Sequence, residues 1–172
     1  LSLEKLEDRL KEILGVQKFE DLGKKLYVAV TKLTKGQPEI FSKGSLIRPV
    51  LASASIPVIF KPIELDGDVY VDGGLMDNLP IGPMTGECDR LIGSFVNHIG
   101  EQKDIDSMRE IADRSYKLAL FQNVKIHFEK LDILIDPPEL IKYSLYDFDD
   151  MEEIISLGYN ETTKQLAEKD IH

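Results

Sequence analysis

The reading turns on residues 52–80. They begin Ala52-Ser53-Ala54-Ser55-Ile56-Pro57 and close Val71-Asp72-Gly73-Gly74-Leu75-Met76-Asp77-Asn78-Leu79-Pro80. The small, apolar residues before Pro57 suit a helix that starts near Arg48, because Pro49 is tolerated only in a first turn. Pro57 disfavours helical geometry in the residue before it and ends that helix. Asp66-Gly67-Asp68 then separates Ile63-Glu64-Leu65 from Val69-Tyr70-Val71, the pattern of a tight hairpin. The second strand leads directly into Asp72. Aspartate and glycine both favour turns, so Asp72-Gly73-Gly74 by itself reads as a tight loop after a strand.

Working outward, Leu3, Leu6, Leu10 and Ile13 recur at helical spacing with charged residues between them, and Gly15 stops the helix. Leu26 to Thr31 is apolar on nearly every residue, as in a strand buried on both faces of a parallel sheet. Lys35-Gly36-Gln37-Pro38 predicts a turn, with a short return strand at Glu39-Ile40-Phe41. Arg90 to Val96 reads as a further buried strand. Ile105, Met108, Ile111 and Leu118 mark the core face of a helix from about Asp104 to Gln122. Leu131 to Ile135 alternates as a strand before Pro137-Pro138. A last helix opens at Asp149 or Asp150 with Glu152 and Glu153 as capping-box partners. Strands separated by helices predict an α/β fold with a mostly parallel sheet.

The chain has 31 acidic and 21 basic residues, a formal charge of −10. Such a surface repels phosphate backbones, which argues against nucleic-acid binding, and it repels anionic headgroups. Membrane contact is left to apolar residues, or to a locally basic patch that the sequence does not show, and would be transient. No apolar run approaches the ~20 residues needed to span a bilayer, and the opening residues lack the pattern of a signal peptide. Cys88 is the one cysteine, so no disulfide forms within the chain, which fits a reducing, cytoplasmic setting.

The order Ala52-Ser53-x-Ser55-Ile56-Pro57, Phe60, Asp72-Gly73-Gly74 and Asn78-Leu79-Pro80 resembles the second half of the patatin-like phospholipase catalytic domain. Phe19-Glu20-Asp21-Leu22 is similar to the family's entry into that half. Pro138-x-Leu140, Asp147-Phe148 and Ile154-x-x-x-Gly158-Tyr159 look like its closing strand and helix. The resemblance therefore covers nearly the whole chain. It implies a three-layer α/β/α fold with a mostly parallel central sheet, incomplete in this chain, and makes residues 1–172 the C-terminal portion of one catalytic domain.

The resemblance also implies a chemistry. A serine hydroxyl is a poor nucleophile until a neighbouring base takes its proton. Most serine hydrolases use a histidine for this and an acid to orient it. The patatin-like family instead uses a Ser–Asp dyad, and Asp72 matches the aspartate. Gly73 and Gly74 would shape its turn, and Asn78 would hold the loop. An aspartate titrating near ~3.9 is a weak base at neutral pH, and burial is what raises it. The partnering serine belongs to a Gly-x-Ser-x-Gly elbow, with a Gly-rich oxyanion loop before it. No serine of this chain has that context. The sequence thus predicts a C-terminal piece whose N-terminal half comes from the same gene or a companion chain. The strand edge beside Leu26–Thr31 would then lack its neighbours.

The implied activity is lipid acyl hydrolysis of the phospholipase A or esterase type, with a lipid or small acyl ester as substrate. The chain by itself would be inactive. No cofactor or metal is called for. The alternative is a non-catalytic lipid-binding or scaffolding relative of the same fold. Other residues read more plainly. His98, His127 and His172 have no metal-ligand spacing, and His98 reads as a loop histidine. Cys88 lies between Glu87 and Asp89, which disfavour a thiolate. Asp147, Asp149, Asp150, Glu152 and Glu153 suit a helix N-terminus better than a calcium loop. Ser53 and Ser55 read as capping or packing groups.

Overall fold

Short connections decide the first part of the chain. Val28–Lys32 (β1) and Gln37–Phe41 (β2) are joined by residues 33–36, where the Gly36 amide bonds back to the Lys32 carbonyl at 2.9 Å. Ile63–Leu65 (β3) and Asp68–Asp72 (β4) are joined by Asp66 and Gly67, both left-handed at φ 50° and 82°. Two residues of this conformation match the twist of a hairpin. Links this short allow only antiparallel pairing, because a parallel pair needs a crossover of a dozen residues or more. The sheet runs β2-β1-β4-β3 and is antiparallel throughout.

The computed structural model describes residues 3–103, 105–143 and 149–169. These fall into two compact units, Leu1–Pro80 and Ile81–His172. In the first unit, Glu4–Leu14 (α1) and Ile47–Ser53 (α2) accompany the four-stranded sheet. Val28 and Val30 share a face of β1 and pack with Phe19, Leu46, Ala52 and Tyr70. Leu3, Ile47 and Leu51 form a second cluster beside Leu10 and Phe60. Thr31, on the opposite face of β1, is also buried. Burial on both faces is what the sequence predicts for this strand.

Its position differs from the prediction. β1 is not an edge: β2 pairs along its whole length and β4 pairs with Val30, Thr31 and Lys32. Lys32 ties these strands together by ion pairs to Glu39 at 2.9 Å and Asp68 at 3.1 Å, with Nζ 5.3 Å from the centre of the Tyr70 ring. Hydrogen bonding to Tyr70, then to Glu39 and Asp68, holds the lysine well above its ordinary range. Pro38 lies within β2 rather than in the turn, on an outer strand where a missing N–H costs no ladder bond.

The second unit contains the parallel pairing. Ile92–Ser94 (β5) and Ile133–Ile135 (β6) align Ile92 with Ile133. Met108–Phe128 (α3) is the crossover between them, and Met151–Glu168 (α4) packs on β6. Parallel pairing is therefore found only here among the described residues, and the four-stranded sheet is not the mostly parallel sheet predicted. α3 starts later than predicted and runs further. Its start is set by a capping box of Ser107 and Glu110, a Ser-x-x-Glu signal present in the sequence. Its buried residues are Leu120 and Val124, while Phe121 and Phe128 join Phe95 in an aromatic cluster with centroids 5.5–6.0 Å apart. Met108, Ile111 and Leu118, predicted as the core face, are exposed. The helix is apolar on two sides, and the aromatic side won the core.

The capping box predicted for α4 does not form. Asp150 is the N-cap but makes no side-chain cap bond, and Glu153 bonds the Tyr143 hydroxyl, which raises the phenol to about 12. Asp104, Asp147, Phe148 and His172 lie outside the described residues.

Thr31 Oγ1 is buried without a hydrogen-bond partner among the described residues. Desolvating an unpaired hydroxyl is unfavourable, so Thr31→Val should raise stability by about 1 kcal/mol in urea denaturation with an unchanged m-value. A loss of stability would mean that the hydroxyl is satisfied in solution.

Candidate active site

The site forms where β4 stops. The antiparallel register sets Asp72, the last residue of β4, opposite Val30. From there the chain turns sharply through Gly73, Gly74 and Leu75, and the amides of Met76 and Asp77 both bond to the Gly73 carbonyl, at 3.0 and 2.9 Å. Asp72 is held from two directions. Its own amide donates to the Ser55 carbonyl at 3.0 Å, just past the end of α2. Its Oδ1 accepts from the Gly74 amide at 2.7 Å.

The two glycines meet a steric demand. A Cβ on Gly73 would collide with the Ala29 carbonyl of β1. A Cβ on Gly74 would lie 2.6 Å from Asn78 Oδ1 and 3.1 Å from Asp72 Oδ1. A side chain at Gly73 would have to displace β1 backbone, and one at Gly74 would push the Asn78 side chain aside and crowd the Asp72 carboxylate. Asn78 is therefore set against the same glycine that binds Asp72. The sequence-predicted residues Asp72, Gly73, Gly74 and Asn78 come together in one turn and line one cleft of about 490 Å³.

The cleft is apolar on the side built by Leu26, Val28, Val50 and Ala54, and polar where Asp72, Asp77 and Asn78 meet it. Burial pushes the Asp72 carboxyl up from its ordinary value, and the Gly74 hydrogen bond opposes the shift only in part. A desolvated carboxylate is a better proton acceptor than one in water. Gly74 engages Oδ1, which leaves Oδ2 as the oxygen for a proton.

Some of this was not accessible from sequence. Asp77, a second carboxylate lining the cleft, adjoins Asn78 in the same motif. The wall from β1 and α2 has no sequence signal, because it depends on β1 pairing with β4. Ser53 lines the cleft, whereas Ser55 is fully buried with Oγ donating to the Leu51 carbonyl at 2.7 Å. The capping and packing reading holds for Ser55. In the second unit, His98 lies in the loop after β5, as predicted, and its Nδ1 lies 2.9 Å from Asp136 Oδ1, with both side chains largely covered. Cys88 is exposed.

Residues 1–85 match the family model of the patatin-like phospholipases. An uncharacterized NTE family protein of Mycobacterium bovis is 35% identical over 86 residues, covering 50% of this chain and 24% of that protein. Lysophospholipase NTE1 of Meyerozyma guilliermondii is 24% identical over 174 residues, covering 86% of this chain and 12% of its own length. Lysophospholipase NTE1 of Kluyveromyces lactis is 27% identical over 168 residues, covering 83% of this chain and 12% of its own. Residues 1–85 belong to the patatin-like phospholipase family. The chain spans about a quarter of the mycobacterial relative and about an eighth of the two yeast proteins.

Two outcomes follow from the geometry. Gly73→Ala should destabilise the protein by on the order of 2 kcal/mol or more, since the new methyl meets β1 backbone rather than a yielding side chain. For Asp72 the sign is set by a folded pKa above the unfolded one. The penalty for the buried charge is absent below the unfolded value, where the group is protonated in both states. It grows as pH rises through the folded value and is complete above it. Asp72→Asn should therefore raise the melting temperature at pH 7 and converge with wild type in acid. A pH-independent loss of stability would contradict this.

Proposed function

We propose that the protein is a lipid acyl hydrolase of the phospholipase A or esterase type, in which Asp72 is the general base for a serine that lies outside these 172 residues. The observation that carries this reading is the partly buried Asp72 carboxylate, fixed by Gly74 in the lining of an apolar-walled cleft. The chain's own residues supply base and wall, and none of its serines has the flanking glycines of a nucleophile elbow. In the proposed sequence, Asp72 takes the serine proton as the oxygen attacks the ester carbonyl. It then returns that proton to the leaving alcohol, giving an acyl-enzyme. Water attacks the acyl group while Asp72 takes its proton, and the serine leaves with that proton as the free acid departs. The base is restored at the end of each half-reaction.

In this reading the chain is the C-terminal portion of one domain. The three-layer arrangement and mostly parallel central sheet are properties of the completed domain, and an N-terminal half from the same gene or a companion chain brings the serine. Asn78 holds the turn that presents Asp72. The single cysteine, Cys88, supports a cytoplasmic setting.

The test uses a fluorophosphonate probe and a lysophospholipid assay on the purified protein, with intact masses measured. Label is expected on a species other than the 172-residue chain, and in the full-length protein that carries the serine Asp72→Asn should lower turnover by roughly 10²–10⁴-fold with an unchanged circular dichroism spectrum. Turnover that survives Asp72→Asn would overturn the assignment.

A further inference from the structure

α2 turns one face to the Asp72 cleft. Val50 and the residues three and four positions on, Ser53 and Ala54, line it, whereas Ile47, Leu51 and Ala52 are buried. Ser53 is the polar side chain of that face. Two serines of this segment are used differently. Ser55 is fully buried, and its hydroxyl donates to the Leu51 carbonyl at 2.7 Å. Ser53 is half-buried, and its hydroxyl has no hydrogen-bond partner among the described residues. It does not cap the helix, whose C-cap is Ala54. Alanine stands on both sides of it, at positions 52 and 54, and alanine is the better helix former. Packing, capping and helix formation therefore leave the hydroxyl at 53 unexplained.

The base reaches the same space. The Asp72 amide bonds to the Ser55 carbonyl at 3.0 Å, two residues beyond Ser53, and Gly74 holds Oδ1, so Oδ2 is the oxygen for a proton. In an acyl-enzyme cycle Oδ2 serves two groups in turn, the leaving alcohol and the water that replaces it. They are held differently. The alcohol belongs to a substrate that the rest of the cleft binds. A water is placed by hydrogen bonds alone, and an ordered one takes roughly two to four polar partners. Along the apolar side of the cleft, from Leu26 and Val28 to Val50 and Ala54, such partners are scarce.

We propose that Ser53 is the positioning residue for the deacylation water: Asp72 Oδ2 accepts one of its O–H bonds, Ser53 Oγ accepts the other, and the oxygen lone pair is left for the acyl carbonyl. The water's proton passes to Asp72 as its oxygen bonds to the acyl carbon. The proton then goes to the nucleophilic serine as the serine–acyl bond breaks, and Ser53 is unchanged throughout. The inference rests on the hydrolase reading above and adds a step to it, because the hydroxyl at 53 acts on hydrolysis of the acyl-enzyme and not on its formation.

The test uses the full-length protein that carries the nucleophilic serine, mixed rapidly with a p-nitrophenyl ester, with intact masses followed after acid quench. Ser53→Ala should release p-nitrophenol in a stoichiometric burst and then turn over roughly 10–100-fold more slowly than wild type, as expected for one lost hydrogen bond to a reacting water. The acyl-enzyme mass should persist in the variant. kcat and KM should fall together while kcat/KM holds, since acylation is untouched. The melting temperature should match or exceed that of wild type, because no bond within the chain is lost. Unchanged turnover in Ser53→Ala overturns the proposal. So does an equal fall in kcat and kcat/KM without acyl-enzyme, which would place the hydroxyl in acylation or in the fold. Wild type that releases no p-nitrophenol overturns the hydrolase reading and this inference with it, an outcome told apart from the others because it needs no change at Ser53.

Discussion

Everything at the candidate site depends on how closely the turn after β4 can approach β1. Gly73 lies against the Ala29 carbonyl with no room for a side chain. That contact continues the β1–β4 pairing one step beyond Asp72 and fixes where the strand must stop and turn. Once the turn is placed there, the Gly74 amide faces Asp72 Oδ1 and Asn78 comes to rest against Gly74. The start of β1, left without a strand partner on the β4 side, becomes the cleft wall at Leu26 and Val28. One steric constraint thus orients the carboxylate and hollows the space in front of it.

The same arrangement sets stability against reactivity. A carboxylate fully served by hydrogen bonds and solvent would be comfortable and weakly basic. Asp72 is partly buried at the end of β4 and its side chain accepts a backbone hydrogen bond from Gly74, but burial dominates its titration. The fold offsets that cost around it rather than at it. Lys32 links three strands through Glu39, Asp68 and Tyr70, and Val28 and Val30 anchor the core beneath α2. A site held by a rigid sheet can keep an ill-solvated group without local unfolding.

The two units show how connection length selects strand direction. Two-residue and four-residue links make the first unit's sheet antiparallel, whereas a 21-residue helix between β5 and β6 permits a parallel pair. α3 also illustrates why apolar periodicity is an incomplete guide to burial. Met108, Ile111 and Leu118 repeat at helical spacing as clearly as Leu120, Val124 and Phe128 do. Only contact with Phe95 decides which side is covered.

Much of this protein was legible in the chain itself. The Asp66-Gly67 hairpin, the strand entering Asp72, the tight glycine turn and the grouping of Asp72 with Asn78 are all local, set by backbone preferences within a few residues. The family resemblance rested on that same local stretch. The antiparallel order β2-β1-β4-β3, the interior place of β1, the pairing of His98 with Asp136 and the cleft wall were not legible. Each requires residues tens of positions apart to meet, and sequence patterning records how a segment is buried but not what buries it. The family resemblance carried by that local stretch named the carboxylate. Its burial, and hence its raised affinity for a proton, was decided by the tertiary structure, because desolvation depends on what the rest of the chain brings against it.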